Sequence, residues 1–368
     1  MTAQATEWSD LVLPYLTADI AGIGGRLRVA LDDFRVEEIA AYPPSGEGDH
    51  LFLRIEKRDM STPFAVDRIA RALKISARDI GYAGMKDRHA VTEQTLSVPG
   101  RVGEAAVEAL AIEGLTVRSV ARHQNKLRIG HLRGNRFTLR LRQLDDLDSC
   151  YQRAIAVASV LQREGVPNFY GSQRFGREGD NATRARAWLA GGGPAPRDHT
   201  LRRLLASSLQ SSVFNRWLSE RLTAGLLARY VDGDLAARFG PNGEGRPWAV
   251  DPSEAEALYA TGGVTATGPM PGPKMPRPTG EALAREEAVM AAMGLDDAVF
   301  ARAGALAEGT RRAARVFVDG LDVSRGEGCL IFRFGLPSGG YATTVMREFC
   351  KVAAGGDEDA AEASESAT

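Results

Sequence analysis

The sequence is poor in cysteine and histidine, and this limits the chemistry that the chain can carry. Its three cysteines, Cys150, Cys329 and Cys350, are far apart and odd in number, so they indicate no disulfide framework. The five histidines are scattered, and neither they nor the cysteines have the spacing of metal ligands. We therefore expect a protein of the reducing cytoplasm that has no metal site.

Long apolar runs are also missing. No segment approaches the roughly 20 apolar residues that a membrane-spanning helix needs. The first ten residues lack the basic region, apolar stretch and cleavage site of a signal peptide. With 44% hydrophobic and 25% charged residues, the 368-residue chain has the composition of a globular protein with two domains, or one domain carrying an insertion. We expect no membrane partner.

The net charge of −1 hides an asymmetry along the chain. The segment after Lys351 contains five acidic residues and no basic one. The rest of the chain has 46 basic and 42 acidic side chains, a net charge of +4. Residues 352–368, made of Ala, Gly, Ser and acids, are predicted to be a disordered tail.

Basic residues are concentrated between Arg118 and Arg142. This segment has eight lysines and arginines, two histidines and no acid. Such a surface would attract phosphate groups. The same alternation is typical of the solvent face of an amphipathic hairpin, so basicity alone leaves the partner open. Residues 127–132 and 137–141 are predicted as its two strands, with the turn at Gly134-Asn135.

Hydrophobic periodicity predicts a mixture of strands and helices, an α+β fold class. Ser61-Thr62-Pro63 is a typical helix start after a strand at 51–56. Further helices are predicted at 151–164, 201–226, 281–293 and 341–350, and strands at 316–318 and 330–332. Glycine and proline accumulate between Gly240 and Gly280, which predicts an extended connection inside a middle domain.

One segment carries a candidate nucleophile. Residues 81–94 read GYAGMKDRHAVTEQ, with Asp87 between two cations that would favour its ionised form if they fold around it. A carboxylate held ionised on a loop is a candidate nucleophile. Taken alone, however, Lys-Asp-Arg is more often a solvated charge run.

This segment resembles the signature of the TruD family of tRNA pseudouridine synthases, Ala-Gly-x-Lys-Asp-(Arg/Lys)-x-Ala-x-Thr-x-Gln. Four further blocks resemble the family in the same order, and they begin at Asp33, Arg122, Val166 and Leu336. Five ordered blocks are far more specific than one motif. The resemblance implies a mixed α/β pseudouridine synthase catalytic core with an inserted TruD-specific α/β domain. Its expected parts are core residues 1–162, inserted residues 163–308, core residues 309–351 and the tail.

The resemblance also implies the site residues. It places the family's catalytic aspartate on Asp87 and a base-stacking ring on Phe137. Phe34 is a second candidate ring, and either phenylalanine alone would be read as a core residue. Asn135 offers a donor and an acceptor to a uracil edge, or else serves only the turn.

Three cations complete the expected substrate-binding set. Arg28 stands where the family often has a lysine, and a guanidinium is not equivalent to an ammonium. Lys86 and Arg88 flank Asp87 and are expected to hold it charged or to bind phosphate.

The resemblance implies an isomerase that converts a uridine of tRNA, at position 13 in the D-arm region, to pseudouridine. We expect a monomer whose partner is tRNA and which uses no cofactor. Two alternatives stay open: a non-catalytic RNA-binding or RNA-folding protein with the same basic surface, and a pseudouridine synthase that acts on other RNAs.

Overall fold

The computed structural model of the chain describes residues 12–176, 178–191, 193–240, 243–260 and 262–351. Within these residues the chain forms fifteen strands and nine α-helices, which confirms the predicted mixed α/β class. None of the helices in this part of the chain is long and apolar enough to cross a membrane. The predicted disordered tail lies outside the described residues.

The helices and strands are named here in chain order. The first half contains β1 (Phe34–Ala40), β2 (His50–Arg58), α1 (Thr62–Leu73), β3 (Gly81–Tyr82), β4 (Val91–Pro99), α2 (Glu104–Glu108), β5 (Leu115–His123), β6 (Leu132–Arg142) and α3 (Leu147–Glu164). The second half contains β7 (Val166–Pro167), α4 (Asn181–Leu189), α5 (His199–Thr223), β8 (Leu235–Gly240), β9 (Gly243–Glu244), β10 (Trp248–Ala249), α6 (Pro252–Ala260), β11 (Val264–Met270), α7 (Gly280–Ala292), α8 (Asp297–Ala303), β12 (Thr310–Ala313), β13 (Arg315–Val316), β14 (Asp319–Gly326), β15 (Cys329–Pro337) and α9 (Ala342–Cys350).

The larger sheet joins both ends of the chain. It has eight strands in the order β14-β15-β6-β1-β4-β2-β5, and the short β3 pairs with β4. β1 and β4 run parallel, whereas the other neighbours are antiparallel. Because side chains alternate along a strand, this register divides the sheet into two faces of different chemistry.

The inner face is apolar and covered by helices. Helices α1 and α2 pack over β2, β4 and β5, and helices α3 and α9 pack over β6 and β15. In α1 the side chain of Ser61 accepts a hydrogen bond from the amide of Phe64, and Pro63 lies in the first turn. The residues that α1 buries follow the helical period predicted from the sequence, and include Ala65, Val66, Ile69 and Ala70. The middle of the inner face, along β1, lies between the two helix pairs.

The opposite face, here called the charged face, carries paired arginines and carboxylates. Arg54 of β2 contacts Glu37 of β1 at 2.5 Å and Glu93 of β4 at 3.0 Å. Glu56 of β2 contacts Arg118 of β5 at 2.6 Å. These contacts join β1, β4, β2 and β5 across a surface that faces solvent.

A second sheet is formed by the middle of the chain. Its strands are ordered β10-β8-β11-β12, with β9 paired to β8, and α5 packs against β11. All seven residues of β11 are buried, because the strand has neighbours on both sides and a helix on one face. The prediction of an extended connection over 240–280 is therefore wrong. That region holds α6 and the buried β11, and four of its eight prolines come after the strand.

The predicted hairpin around Gly134-Asn135 is also wrong. These residues lie inside the eleven-residue β6, which pairs with β1 on one side and β15 on the other. Gly134 is required there by close approach rather than by a turn, since a Cβ would lie 2.0 Å from the carbonyl oxygen of Leu336.

The two sheets use separate stretches of the chain. The hydrophobic cluster of the second sheet contains residues mostly from 185 to 314. Of the two largest clusters on the larger sheet, one combines residues 23–166 with 316–350, and the other uses residues 51–115. We propose the domain division expected from the sequence, with the return to the core placed after Ala313 because β12 belongs to the second sheet.

Candidate active site

The loop that carries Asp87 connects β3 to β4 and lies over the middle of the inner face. The strand before it begins at Gly81, where a Cβ would lie 2.2 Å from the carbonyl oxygen of Leu127. Only glycine allows this approach. Further along, the amide of Gly130 donates to the carbonyl of Ala83 at 2.8 Å. The start of the loop is therefore anchored to the segment before β6.

The main chain of the loop is fixed by a buried lysine. The side chain of Lys57, at the end of β2, is fully buried, and its ammonium donates to the carbonyl oxygens of Asp87 at 2.8 Å and Lys86 at 3.3 Å. It also donates to the carbonyl of Met60. A buried ammonium is tolerated only when such acceptors replace water, and here the acceptors belong to the loop itself.

A second anchor comes from the first turn of α1. The hydroxyl of Thr62 accepts from the amide of Lys86 at 3.0 Å and donates to Oε1 of Gln94 on β4 at 2.9 Å. The loop is thus tied to β2, β4 and α1 at the residues that precede and include Asp87.

Lys86 points into the sheet. Its ammonium lies 2.9 Å from Oε2 of Glu38, and the two side chains are 4% and 2% exposed. Oε1 of Glu38 accepts from the amide of Thr95 at 3.1 Å. The structure therefore places Lys86 in a buried ion pair beneath the loop.

Arg88 is turned toward another carboxylate, and the chain bends at this residue. Its Nε lies 3.9 Å from Oδ1 of Asp59, and its side chain is half exposed. His89 Nδ1 lies 2.9 Å from the same oxygen. The two cations that flank Asp87 in sequence are thus turned toward other carboxylates.

The cation at the Asp87 carboxylate comes from a distant segment. Nη2 of Arg28 donates to Oδ2 of Asp87 at 3.1 Å, and the two side chains are 14% and 36% exposed. The same guanidinium lies 4.0 Å from the centre of the Phe34 ring. Arg28 has a φ of 57°, an uncommon value for a non-glycine residue. The ion pair and the ring contact together hold the Asp87 carboxylate beside Phe34.

Three phenylalanines form a continuous aromatic layer beside this pair. Phe137 contacts Phe34 edge-on, with ring centres 6.4 Å apart, and stacks on Phe334 at 5.4 Å. Phe34 and Phe137 are 2% and 6% exposed, so both are largely packed. The layer adjoins the Arg28–Asp87 pair through Phe34, which Arg28 contacts.

Asn135 lies one row further along the inner face. It is the cross-strand partner of Glu38 on β1 and of Leu336 on β15. Its Oδ1 is buried and has no hydrogen-bond partner among the described residues, and the same holds for Nε2 of Gln94. Buried amide groups are almost always paired. Within the described part of the chain, these two atoms therefore lack the partner that a buried amide normally has.

The basic segment between Arg118 and Arg142 is divided between two surfaces. Arg118, Arg136 and Arg142 lie on the charged face, where they contact Glu56, Glu37 and Asp33. This face is turned away from Asp87. Lys126 and Arg128 lie instead at the end of the sheet where β6 begins.

The charged face also stabilises a carboxylate of the segment leading into β1. The hydrogen bond from Arg58 is the largest effect on Asp32, and with the nearby charges of Arg58, Arg35 and Arg140 it outweighs burial and lowers the pKa of this carboxyl. Asp32 is 47% exposed, so solvent screens these contacts.

Sequence reasoning assigned no role to Lys57, Thr62, Glu38 or Phe334. The signal for Glu38 was its place in the block that begins at Asp33. Lys57 had no such signal, because it stands in the charged run Glu56-Lys57-Arg58, which is typical of a turn after a strand.

The fold identifies the class of protein. A crystal structure of a TruD protein from Methanosarcina mazei superposes with a TM-score of 0.76 at 24% sequence identity, covering 92% of this chain and 96% of that one. The fold is thus that of a pseudouridine synthase of this type.

Sequence comparison identifies the family. The family model described as tRNA pseudouridine synthase D (TruD) matches residues 11–187 and 196–349. A tRNA pseudouridine synthase D from an Anaeromyxobacter species is 47% identical over 347 residues, 93% of this chain and 97% of the relative. The protein of that name from Thermus thermophilus is 40% identical over 342 residues, 93% of each chain. The chain belongs to the TruD family, and it is an isomerase.

Proposed function

We propose that this enzyme converts a uridine of tRNA to pseudouridine, at position 13 in the D-arm region, with Asp87 as the nucleophile. The observation that supports this role is the Asp87 carboxylate, which Arg28 contacts while Lys57 binds the Asp87 carbonyl and Thr62 accepts from the amide of Lys86. A nucleophile gains most from such preorganisation.

The reaction is intramolecular. The N1–C1′ bond of the nucleotide breaks, the uracil turns, and C5 bonds to C1′. The proton of C5 is released and N1 gains one, so neither an oxidant nor a group donor takes part. Asp87 begins the sequence either by attack on C1′ or by removal of a sugar proton in an elimination route.

The other site residues position the base. A target base must leave its stack, at a cost of a few kcal/mol, and stacking on an aromatic ring recovers about 1–3 kcal/mol. We assign this contact to Phe137, with Phe34 and Phe334 packed against it. Asn135 is assigned to the uracil edge, because its buried Oδ1 lacks a partner in the described part of the chain. We also propose a monomer that works in the cytoplasm without a cofactor.

The first experiment measures tritium release from tRNA labelled at uridine C5, because that hydrogen is lost only when C5 becomes the glycosidic carbon. Wild type should release tritium, whereas Asp87→Ala should bind tRNA without releasing it. A tRNA with another base at position 13 should release none from that site. If wild type releases nothing from any tRNA while binding is intact, the chain is an RNA-binding protein and the proposal fails. Equal release by Asp87→Ala would remove the catalytic assignment.

A further inference from the structure

A pocket lies at the end of the larger sheet, where β1 and β5 end and β2 and β6 begin. Its volume is about 500 Å³, within the range of small-ligand pockets. The residues used below line it, namely Tyr42, His123, Asn125, Lys126, Arg128 and His131. None of them was assigned to the site around Asp87.

One wall of this pocket is aromatic. The rings of Tyr42 and His123 stack at 5.2 Å with 15° between their planes, and His123 also contacts Phe52 at 4.3 Å. The hydroxyl of Tyr42 lies 2.7 Å from Nδ1 of His131. The amide of Ser45 donates to Nδ1 of His123 at 3.2 Å, so this nitrogen carries no proton. Burial, and then the nearby His50, lower the pKa of His123, which keeps its ring neutral.

The rim of the pocket is basic. Lys126 and the exposed Arg128 lie on it, and among its described lining residues none is acidic. This differs from the charged face, where Arg118 and Arg136 of the same segment contact carboxylates. An aromatic wall, an amide at Asn125 and a basic rim match the base and the phosphate of one nucleotide.

The pocket is physically connected to the loop of Asp87. Phe52, Ala83, Leu127 and Leu132 form one buried cluster, and Tyr42 packs against it. Ala83 is four residues before Asp87 in the chain. The pocket and the start of this loop therefore share one buried support.

We propose that this pocket binds a second unstacked nucleotide of the RNA substrate. The inference rests on the proposed function, since it takes the substrate to be RNA. The aromatic wall would stack on the base, and the basic rim would contact its phosphate.

The test uses the full-length enzyme and two variants. Tyr42→Leu removes the flat ring and retains most of the volume, while Arg128→Gln removes an exposed cation and should leave folding intact. Arg285→Gln is the matched control, because Arg285 is exposed on α7 and paired with Glu281. Single-turnover tritium release at increasing enzyme concentration gives the half-saturating concentration and the maximal rate separately. Both pocket variants should raise the half-saturating concentration more than they lower the maximal rate, and Tyr42→Leu should raise it by about 5- to 150-fold, the range for one stacked base.

A direct binding measurement separates this inference from the proposed function. Imidazole NMR signals are followed as a five-nucleotide oligouridylate is added, with assignments from His→Gln variants. The signals of His123 and His131 should move, while that of His199, on α5, should not. If wild type is active and both pocket variants match Arg285→Gln in kinetics, with these signals unmoved, the pocket is only a packed corner of the sheet. If wild type modifies no tRNA yet the oligonucleotide moves the two signals, the nucleotide site stands and the proposed reaction fails.

Discussion

Arg28 and Asp87, 59 residues apart in the chain, meet with Nη2 and Oδ2 3.1 Å apart. The guanidinium also lies against the Phe34 ring, so one side chain joins the carboxylate to the aromatic layer. A partly buried pair of this kind combines a charge-assisted hydrogen bond with a cation–π contact. Arg28 therefore determines where the carboxylate points.

Substitutions of Arg28 should separate its charge from its shape. Arg28→Ala should lower the single-turnover rate by about 10- to 100-fold, because a hydrogen bond to a charged group contributes about 1.5–3 kcal/mol. Arg28→Lys retains the charge but loses the planar fork and the ring contact, and should lose less. The rate is measured by tritium release at saturating enzyme. A neutral Arg28→Gln variant as fast as wild type would show that the pair has no part in the reaction.

Removal of the Lys57 ammonium should loosen the loop that carries Asp87. Lys57→Met leaves three carbonyl oxygens without their donor, including that of Asp87. We expect a fall of at least about 10-fold in the maximal rate with tRNA affinity nearly unchanged, and faster hydrogen exchange of the amides of residues 84–90.

Lys274→Met is the control for Lys57→Met, because Lys274 is 69% exposed and contacts Glu308 at 2.7 Å. The control should match wild type in rate and in exchange. If Lys57→Met loses activity without any change in exchange at the loop, its effect does not pass through the position of Asp87.

Phe137→Leu should impair base placement more than RNA binding. The single-turnover rate is expected to fall by about 10-fold, since a stacked base contributes about 1–3 kcal/mol, while tRNA affinity changes little. The control is Phe332→Leu on the same face, where Phe332 is fully buried and packs on Phe349 at 4.8 Å. Both variants should lose stability, and only Phe137→Leu should slow the reaction. Equal slowing would mean that Phe137 acts through packing alone.

Asp32 should contribute to stability only above its own pKa. Arg58 and its neighbours lower that pKa, so the contribution is present above the ordinary value near 3.8 and disappears as the pH falls through the folded value. Asp32→Asn should therefore reduce the midpoint of urea unfolding slightly at pH 7 and leave it unchanged in the most acidic range where the protein is folded. A constant difference at all pH values would contradict the ion-pair explanation.

The sequence predicts the long elements well, because their hydrophobic period repeats over several turns. Helix α1, with Ser61 and Pro63 at its start, is an example. Prediction from the sequence fails where residues typical of a turn lie inside a paired strand. Gly134-Asn135 has the residues of a turn, yet the alternation that begins before it continues to Arg142 because strands on both sides pair with it.

The candidate site was predictable only in part, for a similar reason. Asp87 stands in a local motif, so its position could be read from the sequence. The flanking Lys86 and Arg88 were expected around it, but distant carboxylates decide where these two side chains lie. The structure pairs them with Glu38 and Asp59. Contacts such as that of Lys57 depend on the packing of distant segments, which no local pattern records.

The stability of the second sheet and its helices should depend in part on a buried ion pair. Arg311 of β12 contacts Glu286 of α7 at 2.5 Å, and the two side chains are 1% and 4% exposed. Its guanidinium also donates to the hydroxyl of Thr267 on β11 at 3.1 Å. Loss of one partner leaves a buried charge uncompensated, which costs about 3–5 kcal/mol. Arg311→Met should lower the free energy of unfolding in urea by that amount.

The double variant Arg311→Met with Glu286→Leu tests whether Arg311→Met loses stability because the Glu286 charge is left unpaired or because other contacts of Arg311 are lost. Replacing a buried ion pair by apolar residues of similar volume is often nearly neutral. We therefore expect the double variant to be more stable than Arg311→Met by at least about 2 kcal/mol. If the two losses simply add, the lost hydrogen bonds of Arg311 to β11 cause the destabilisation, and Glu286 contributes no more than its own packing.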